Sequence, residues 1–195
     1  MKVWHITNTL YGGAGTYALR LSNALREAGV DSCVLCDDPV DMESAQELSP
    51  VSGAVPRFAT RVIRSMSHRM TSRAYQSLMG MEVYRGKQMP QQGDIIHLHS
   101  LTGWMGIRGL NALIPAGSPV FWTSHDLWPL SGGCIVYSGC DGYRNDCGSC
   151  PAINNPLKFW AEAELRMKQK FVRERKVQPV ADSRWMAGHI GESRI

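Results

Sequence analysis

Four cysteines in one short stretch are the most unusual chemical feature of the sequence. They lie in "GGCIVYSGCDGYRNDCGSCP" as Cys134, Cys140, Cys147 and Cys150, with the spacing C-x5-C-x6-C-x2-C. Four thiolates can surround a tetrahedral zinc ion, and the Cys147–Cys150 turn is typical of half a zinc ribbon. Because the cluster contains no histidine, the pattern favours a structural ion over a catalytic one. Two disulfides or unligated thiols are the alternatives.

Polar and aromatic residues follow two predicted strands at the points where these strands end. His99 comes after "DIIHL" with Trp104 slightly further on, and His125 and Asp126 come after "PVFWTS". Ligands of open parallel sheets bind outside the carboxyl ends of the strands. A histidine there can form hydrogen bonds, carry a proton or bind a metal. A single strand-end histidine is more often structural, but two on one rim make a functional site an equally good interpretation.

A glycine-rich segment, "LYGGAGTYALRLSNALREAG", is the third candidate. Gly13, Gly15 and Ala18 satisfy the G-x-G-x-x-[GA] pattern of a dinucleotide-binding turn. The dinucleotide turn follows its strand directly, whereas four residues separate the predicted strand "KVWHIT" from the first glycine. Such a loop can still offer backbone N–H groups and a helix N-terminus to a phosphate. A turn that only requires the conformational freedom of glycine is the alternative.

An NAD(P)-dependent oxidoreductase has one further point in its favour. The second predicted strand ends in Asp37 and Asp38, the place where a dinucleotide enzyme keeps its ribose-binding acid. This function is therefore kept as an alternative, and exchanging either aspartate should weaken cofactor binding if it is correct.

The elements that must position these residues are short apolar runs alternating with helical segments. The runs are Lys2–Thr7, Ser32–Cys36, Asp94–Leu98, Pro119–Thr123 and Gln178–Ala181. This alternation predicts an α/β fold with a Rossmann-like, doubly wound parallel sheet. Ser183 and Arg184 follow the last run and join the candidate rim, with Ser183 placed to cap a final helix. The stretch from Asp37 to Pro56 has little periodicity, which predicts a long, mobile connection.

The totals indicate one globular domain covering residues 1–195. The composition is ordinary, with 44% hydrophobic and 19% charged residues, and the net charge is +4. This charge suits phosphate-rich ligands or an anionic membrane, but it is too small to argue for nucleic acid as a partner. We find neither a signal peptide nor an apolar run long enough to span a bilayer, so a cytoplasmic location is expected.

A basic amphipathic helix is predicted in "RFATRVIRSMSHRMTSRAYQSLMGM". Arg57, Arg61 and Arg64 share one helical face, and Phe58 and Val62 share another. This pattern suits peripheral contact with the inner face of an anionic plasma membrane. A helix packed on the sheet with a solvated basic side is an equally good interpretation.

Four segments together resemble a known family. "GGAGTYALRLSNALREAG", "DIIHLHSLTGW", "TSHDLWPLSGGC" with the cysteine loop, and "ADSRWMAGHI" are similar to the N-terminal domain of family 4 glycosyltransferases, and most similar to bacterial enzymes that build surface polysaccharides. The resemblance implies one half of a GT-B fold, in which the first Rossmann-like domain mainly receives the acceptor and the second binds the nucleotide-sugar. It also implies retention of anomeric configuration.

The resemblance assigns roles to particular residues. Gly12 and Gly13 match the glycine loop that approaches the donor diphosphate and the acceptor, and His125 matches the histidine that contacts the donor sugar. His99 and Trp104 match the rim around the acceptor. Such enzymes stabilise an oxocarbenium-like sugar and a departing diphosphate, so positioned hydrogen-bond donors matter more than a strong base. A glycan or a lipid-linked glycan is the expected acceptor.

The sequence departs from the family in one respect. The donor-binding domain of these enzymes carries two glutamates in an E-x7-E pattern, and no such pair occurs here. The sequence therefore predicts an acceptor-side domain that lacks the donor-binding domain and cannot transfer sugar alone. A zinc-braced binding module without catalysis is the remaining alternative.

Overall fold

A six-stranded parallel sheet forms the centre of the molecule. The computed structural model describes residues 1–37, 45–50, 84–153 and 159–195. The strands are β1 (Val3–Ile6), β2 (Ser32–Cys36), β3 (Ala45–Glu47), β4 (Ser49–Pro50), β5 (Tyr84–Arg85), β6 (Ile95–Leu98), β7 (Val120–Ser124) and β8 (Gln178–Ala181). The sheet order is β3-β2-β1-β6-β7-β8, and every neighbouring pair in it is parallel.

This order is that of a Rossmann-like sheet. The chain first builds outward from β1 to β3 and then returns to the other side of β1, so the order reverses between β1 and β6. Loops leave a topological switch point in opposite directions and open a crevice there, which is the usual ligand site of such sheets. The predicted fold class is confirmed, and five of the six strands lie in the predicted runs.

Four α-helices and one 3-10 helix are described. They are α1 (Gly12–Glu27), α2 (Ile107–Leu113), the 3-10 helix (Asp141–Arg144), α3 (Phe159–Arg175) and α4 (Arg184–Glu192). Helix α1 packs on β1 and β2, helix α2 contacts α3, and helix α4 contacts β8. The hydroxyls of Ser22 and Ser32 are 2.8 Å apart and join α1 to β2.

The first turn of α1 lies directly against the preceding loop. A Cβ atom at Gly15 would lie 2.2 Å from the carbonyl oxygen of Thr9, so only glycine fits there without displacing backbone. Gly12 has a φ of +78°, which a side chain would strain, while Gly13 has open space around its α-carbon. The glycines therefore serve two purposes: they bring α1 close to the end of β1 and they leave its N-terminus open.

The main hydrophobic core lies between the sheet and the helices. Its members include Trp4, Ile6, Leu35, Ile96, Leu98, Leu101, Leu110, Trp122, Trp128 and Phe171. The strands β1 and β2 are buried along their whole length, as expected of a sheet that is covered on both faces. A smaller cluster forms around Cys147, Cys150, Ile153 and Leu165.

The segment from Asp37 to Pro56 contains regular structure that the sequence did not predict. Within it, β3 extends the central sheet by pairing with β2, and β4 pairs with β5 in a two-stranded antiparallel sheet. The prediction of a long connection was wrong for these residues, because sheet pairing stabilises three-residue and two-residue strands that have no periodicity of their own. The predicted basic helix at Arg57–Met81 lies outside the described residues.

Candidate functional site

Three histidines form a chain of hydrogen bonds at the switch point of the sheet. His5 lies on β1, and its Nδ1 is 3.1 Å from Nε2 of His99, just beyond β6. Nδ1 of His99 is 3.2 Å from Nε2 of His125, just beyond β7. Nδ1 of His125 is 3.4 Å from Oδ2 of Asp182, just beyond β8. The chain therefore crosses four strand ends and runs from the fully buried His5 to a partly exposed carboxylate.

The carboxylate fixes the direction of all three hydrogen bonds when the imidazoles are neutral. A neutral imidazole carries one N–H donor and one acceptor nitrogen. Because the Asp182 oxygen can only accept, Nδ1 of His125 carries the proton and its Nε2 accepts from Nδ1–H of His99. Nε2 of His99 in turn accepts from Nδ1–H of His5. The remaining nitrogen, Nε2 of His5, is then a bare acceptor, and it has no hydrogen-bond partner in the described part of the chain.

Burial keeps these imidazoles neutral. Desolvation, and next the neighbouring His97, lower the pKa of His5 to about 3. The pKa of His97 is lowered to about 4, again by burial first and by His125 second. Burial and the other three imidazoles lower the pKa of His99 furthest. The pKa of His125 is also lowered by burial, although Asp182 opposes that shift.

A fourth histidine, His97, packs on this chain from β6. His5 and His97 are register partners on adjacent strands, and the rings of His97 and His99 stack with their centroids 4.3 Å apart. Nε2 of His97 is 2.7 Å from the hydroxyl of Thr123 on β7. Potential ligand atoms of His5, His97 and His99 lie within 4.8 Å of one another. Both nitrogens of His99 are already hydrogen-bonded to His5 and His125, and His97 joins the group by stacking on His99.

Tyr17 connects the histidines to the glycine turn. Its ring centroid lies 5.2 Å from that of His125 and 5.8 Å from that of His99, and the side chain is partly exposed on α1. Tyr17 also lines an open depression of about 600 Å³ at the start of α1. The other lining residues are Gly12, Gly13, Thr16, Arg20 and Leu21. The predicted glycine and histidine groups are therefore brought to one rim, with an arginine beside it.

Asp126 organises the loop that follows His125. Its Oδ1 accepts from the backbone N–H of Trp128 at 2.8 Å, and its Oδ2 accepts from the hydroxyl of Thr102 at 3.4 Å. Burial raises the pKa of Asp126, while the backbone hydrogen bond and the Lys168 ammonium oppose the shift. In the structure this carboxylate joins the loops beyond β6 and β7.

Lys168 on α3 binds the backbone of the same loop, the segment that follows His125. Its Nζ donates to the carbonyl oxygens of Trp128 at 2.7 Å and Ser131 at 2.9 Å, and lies 3.6 Å from a carboxylate oxygen of Glu164. Both charged side chains are fully buried. Burial lowers the pKa of Lys168 to about 8, and Glu164 opposes this shift. This pair was not predicted from the sequence, because its i,i+4 spacing is also typical of solvated helix faces.

Three predicted site residues have positions that restrict their roles. Trp104 lies in the main core with its ring against Tyr84, and its predicted role at the acceptor rim stays a prediction. Ser183 accepts from the backbone N–H of Met186 at 3.1 Å, which confirms the predicted helix cap. Arg184 is exposed at the start of α4. Binding roles for Ser183 and Arg184 stay predictions.

The four cysteines of the loop line one pocket of about 350 Å³, and none of the chain's six cysteines forms a disulfide. Backbone N–H groups of Gly132 and Gly142 donate to Sγ of Cys147 and Cys140, each at 3.4 Å. Burial and the other three thiols raise the pKa of Cys134 to about 12. The predicted cysteine group is thus brought together beyond β7, next to the histidine rim.

Sequence reasoning missed His5, His97, Tyr17 and Asp182. One signal was present: His97 and His99 alternate along the strand "DIIHLHS", which places both side chains on one face. Asp182 was also readable as a strand-end residue. The partnership of His5 with His97 depends on the register between β1 and β6, which the sequence does not state.

Comparison with known proteins identifies the class. The sequence model of Glycosyltransferase Family 4 matches residues 11–175, which include the glycine turn, His99, His125 and the cysteine loop. The chain therefore belongs to glycosyltransferase family 4, a family of transferases. This agrees with the Rossmann-like sheet and with a rim at its switch point.

A curated relative is known from Escherichia coli (strain K12). This relative, WcaC, is named as a candidate glycosyl transferase of colanic acid biosynthesis. It is 29% identical to this chain over 87 residues. The matched segment covers 40% of this chain and 22% of the relative, so the chain spans well under two thirds of that protein.

No described helix is long and apolar enough to cross a membrane.

Proposed function

We propose that this chain is the acceptor-side domain of a retaining glycosyltransferase of polysaccharide biosynthesis. The donor is a nucleotide-sugar, and the acceptor is a glycan or a lipid-linked glycan. The family match supports sugar transfer, and the relative named for colanic acid biosynthesis supports a polysaccharide product. Retention of configuration rests on the family resemblance.

The observation that carries this proposal is the single rim formed by the glycine turn, Tyr17, His99 and His125. The N-terminus of α1 is open at Gly13 and presents backbone N–H groups, which suits the diphosphate of a donor. Tyr17 and the imidazoles lie beside it, and an aromatic ring next to hydrogen-bonding groups suits a sugar. The other candidate function, an NAD(P)-dependent oxidoreductase, gains no support from the family match.

The protein's contribution to the reaction is electrostatic and positional. In the reaction the bond between the anomeric carbon and the diphosphate oxygen breaks through an oxocarbenium-like sugar, a bond to the acceptor oxygen forms, and the acceptor's hydroxyl proton goes to the departing diphosphate. A neutral His125, with its Nδ1–H held by Asp182, adds no positive charge beside that developing cation. Asp182 acts as a positioning residue, because it fixes the tautomer of His125 without touching the sugar. Preorganised groups of this kind lower the barrier more than a strong base would.

The test is an NMR titration of the purified chain with labelled histidine side chains. We expect the imidazole signals of His99 and His125 to shift with a polyprenyl-diphosphate-linked glycan, and the signals of His189, in α4, to stay unchanged. Asp182→Ala should change the tautomer of His125 and weaken glycan binding about fivefold, the value of one hydrogen bond near 1 kcal/mol. If NAD(P) shifted these imidazole signals and no sugar ligand did, the result would support the oxidoreductase function instead.

The same proposal has two further consequences, one for sugar transfer by the purified chain and one for the location of the enzyme. The purified chain alone should transfer no sugar, because the donor-binding residues of the family lie in a second domain. A lipid-linked acceptor also favours a cytoplasmic enzyme at the inner face of the plasma membrane, with the basic segment Arg57–Met81 on anionic lipid. Sedimentation with anionic but not neutral vesicles would support this location, and sugar transfer by the chain alone would contradict the first consequence.

A further inference from the structure

The cysteine loop has little regular structure of its own yet encloses a pocket. In its described residues, which end at 153, the regular element is the 3-10 helix Asp141–Arg144, but the loop includes buried residues such as Tyr143, Cys147 and Cys150. A buried irregular loop needs internal ties, because it lacks the hydrogen-bond ladder of a helix or sheet. The four cysteine side chains face the same pocket, where a ligand shared by all four would supply those ties.

Two of the sulphurs accept hydrogen bonds from the backbone. The N–H groups of Gly132 and Gly142 point at Sγ of Cys147 and Cys140, and such donors stabilise negative charge on sulphur. A Cβ at Gly142 would lie 3.3 Å from Sγ of Cys140 and 3.5 Å from Sγ of Cys147, so a glycine keeps this approach open. Cys147 itself has a φ of +58°, a conformation that non-glycine residues adopt only when their surroundings hold them there.

A buried cation stands beside the group. The Lys168 ammonium donates to the carbonyl oxygens of Trp128 and Ser131 in the segment that leads into the loop, and the Ser131 hydroxyl donates to the carbonyl of Cys134. A zinc ion with four thiolates carries a net charge of about −2, and a neighbouring ammonium offsets part of it. A buried positive charge therefore lies beside the start of the loop.

We propose that Cys134, Cys140, Cys147 and Cys150 bind one structural zinc ion. Tetrahedral thiolate coordination is closed to further ligands, so the ion braces the loop and performs no chemistry. Among the described residues, the group of potential ligands within 4.8 Å of one another is His5, His97 and His99. The four sulphurs are spread more widely, so zinc binding draws them together and tightens the loop.

The brace would act on two neighbours. At its start the loop is joined to the segment after His125, since the hydroxyl of Ser131 donates to the carbonyl of Cys134 at 3.0 Å. In its middle it is joined to α4, because the hydroxyl of Tyr143 lies 2.6 Å from Nδ1 of His189 and 2.9 Å from a carboxylate oxygen of Glu192. Zinc would therefore order both the histidine rim and the C-terminal half of the last helix.

The experiment is elemental analysis of the chain purified with zinc and without chelator, for the parent and three variants. We expect about one zinc per chain in the parent, in Cys33→Ser and in His99→Gln, and at least a tenfold loss in Cys147→Ser. Cys33 is the matched control, because it is buried in β2, outside the loop. His99→Gln tests the histidine trio as the competing site.

Cobalt exchange keeps the proposal falsifiable if Cys147→Ser does not fold. Cobalt(II) taken up by the parent chain should show the intense sulphur-to-metal charge-transfer absorption of a tetrahedral thiolate site. Zinc that is lost in His99→Gln but kept in Cys147→Ser overturns the proposal. So does a parent chain without zinc, whether its thiols titrate freely or form disulfides, and so does a cobalt spectrum without thiolate bands.

Discussion

The histidine rim and the cysteine loop are neighbours that are built in opposite ways. The rim consists of side chains at the ends of four adjacent strands, and the register of the sheet sets their spacing. The loop follows β7, and in its described part, up to residue 153, a single-turn 3-10 helix is the regular element. Its shape depends on side-chain ties, such as those made by Lys168 and Tyr143.

This difference teaches where each region is sensitive. Backbone hydrogen bonds of a parallel sheet place the rim, so a single side-chain change there should alter electrostatics and binding more than folding. In the loop a single side chain can hold several backbone groups through hydrogen bonds, so removing that side chain should lower the free energy of unfolding. Each of the following predictions tests one side of this contrast.

The largest expected effect is that of Lys168→Met. The change leaves the buried carboxylate of Glu164 and two carbonyl oxygens of the loop without the ammonium. Breaking a buried pair by removing one partner costs about 3–5 kcal/mol. We expect a loss of this size in the free energy of unfolding, measured with urea.

The matched control is Lys170→Met on the same helix. Lys170 pairs with Glu174 at the surface, where both side chains are more than half exposed, and surface pairs contribute at most about 1 kcal/mol. Equal losses for the two variants would show that Lys168 does not order the loop, and the contrast between the regions would be wrong.

The second prediction concerns pH and the rim. The pKa values of His5 and His97 are lowered to about 3 and about 4, so the unfolded chain takes up protons below its histidine pKa near 6.5 while the folded chain does not. Their neutral burial therefore costs nothing above that pH and destabilises the fold progressively as the pH falls toward about 4. Each such group should lower the free energy of unfolding by about 1.4 kcal/mol for every pH unit in this window.

Urea unfolding between about pH 7 and about pH 5 measures this slope. The slope of the free energy of unfolding against pH counts the protons taken up on unfolding, and His5→Leu should reduce that number by about one. Tyr137→Phe, a change on a partly exposed residue of the cysteine loop, should leave the slope unchanged. An unaltered slope in His5→Leu would mean that the rim is not held neutral by burial.

The smallest expected effect is that of Ser183→Ala, at the junction of the two regions. Ser183 caps α4 directly after Asp182, and losing such a cap costs about 1 kcal/mol. Thermal unfolding of Arg184→Ala, an exposed neighbour, should differ from the parent by less than about 0.5 kcal/mol. If the two variants were equally stable, the cap would not anchor the helix to which the cysteine loop is joined.

Much of the fold could be predicted because its signals are local. Short apolar runs mark five of the six strands of the sheet, and the apolar stripe of α1 with its glycines marks the first helix. The short strand β3 was missed because its stability comes from pairing with β2. The burial of Trp104 in the main core was not predicted either, since closeness to a strand end in sequence says nothing about which way an indole turns.

The candidate site could be predicted only in part. His99 and His125 were found because the carboxyl ends of parallel strands meet at one edge of the sheet, so residues that follow adjacent strands must lie close together. The ordered chain through His5 and Asp182 could not be found in this way, because its hydrogen bonds depend on register and distance.

The sequence by itself determined the class of fold, the rim and the presence of four closely spaced cysteines. These follow from periodicity and spacing, which act over a few residues. The tertiary structure alone decided that three neutral imidazoles share one direction of hydrogen bonding and that a buried lysine supports the loop beside them. Those properties arise from burial and from contacts between distant segments, because desolvation and hydrogen-bond geometry exist only once the chain has packed.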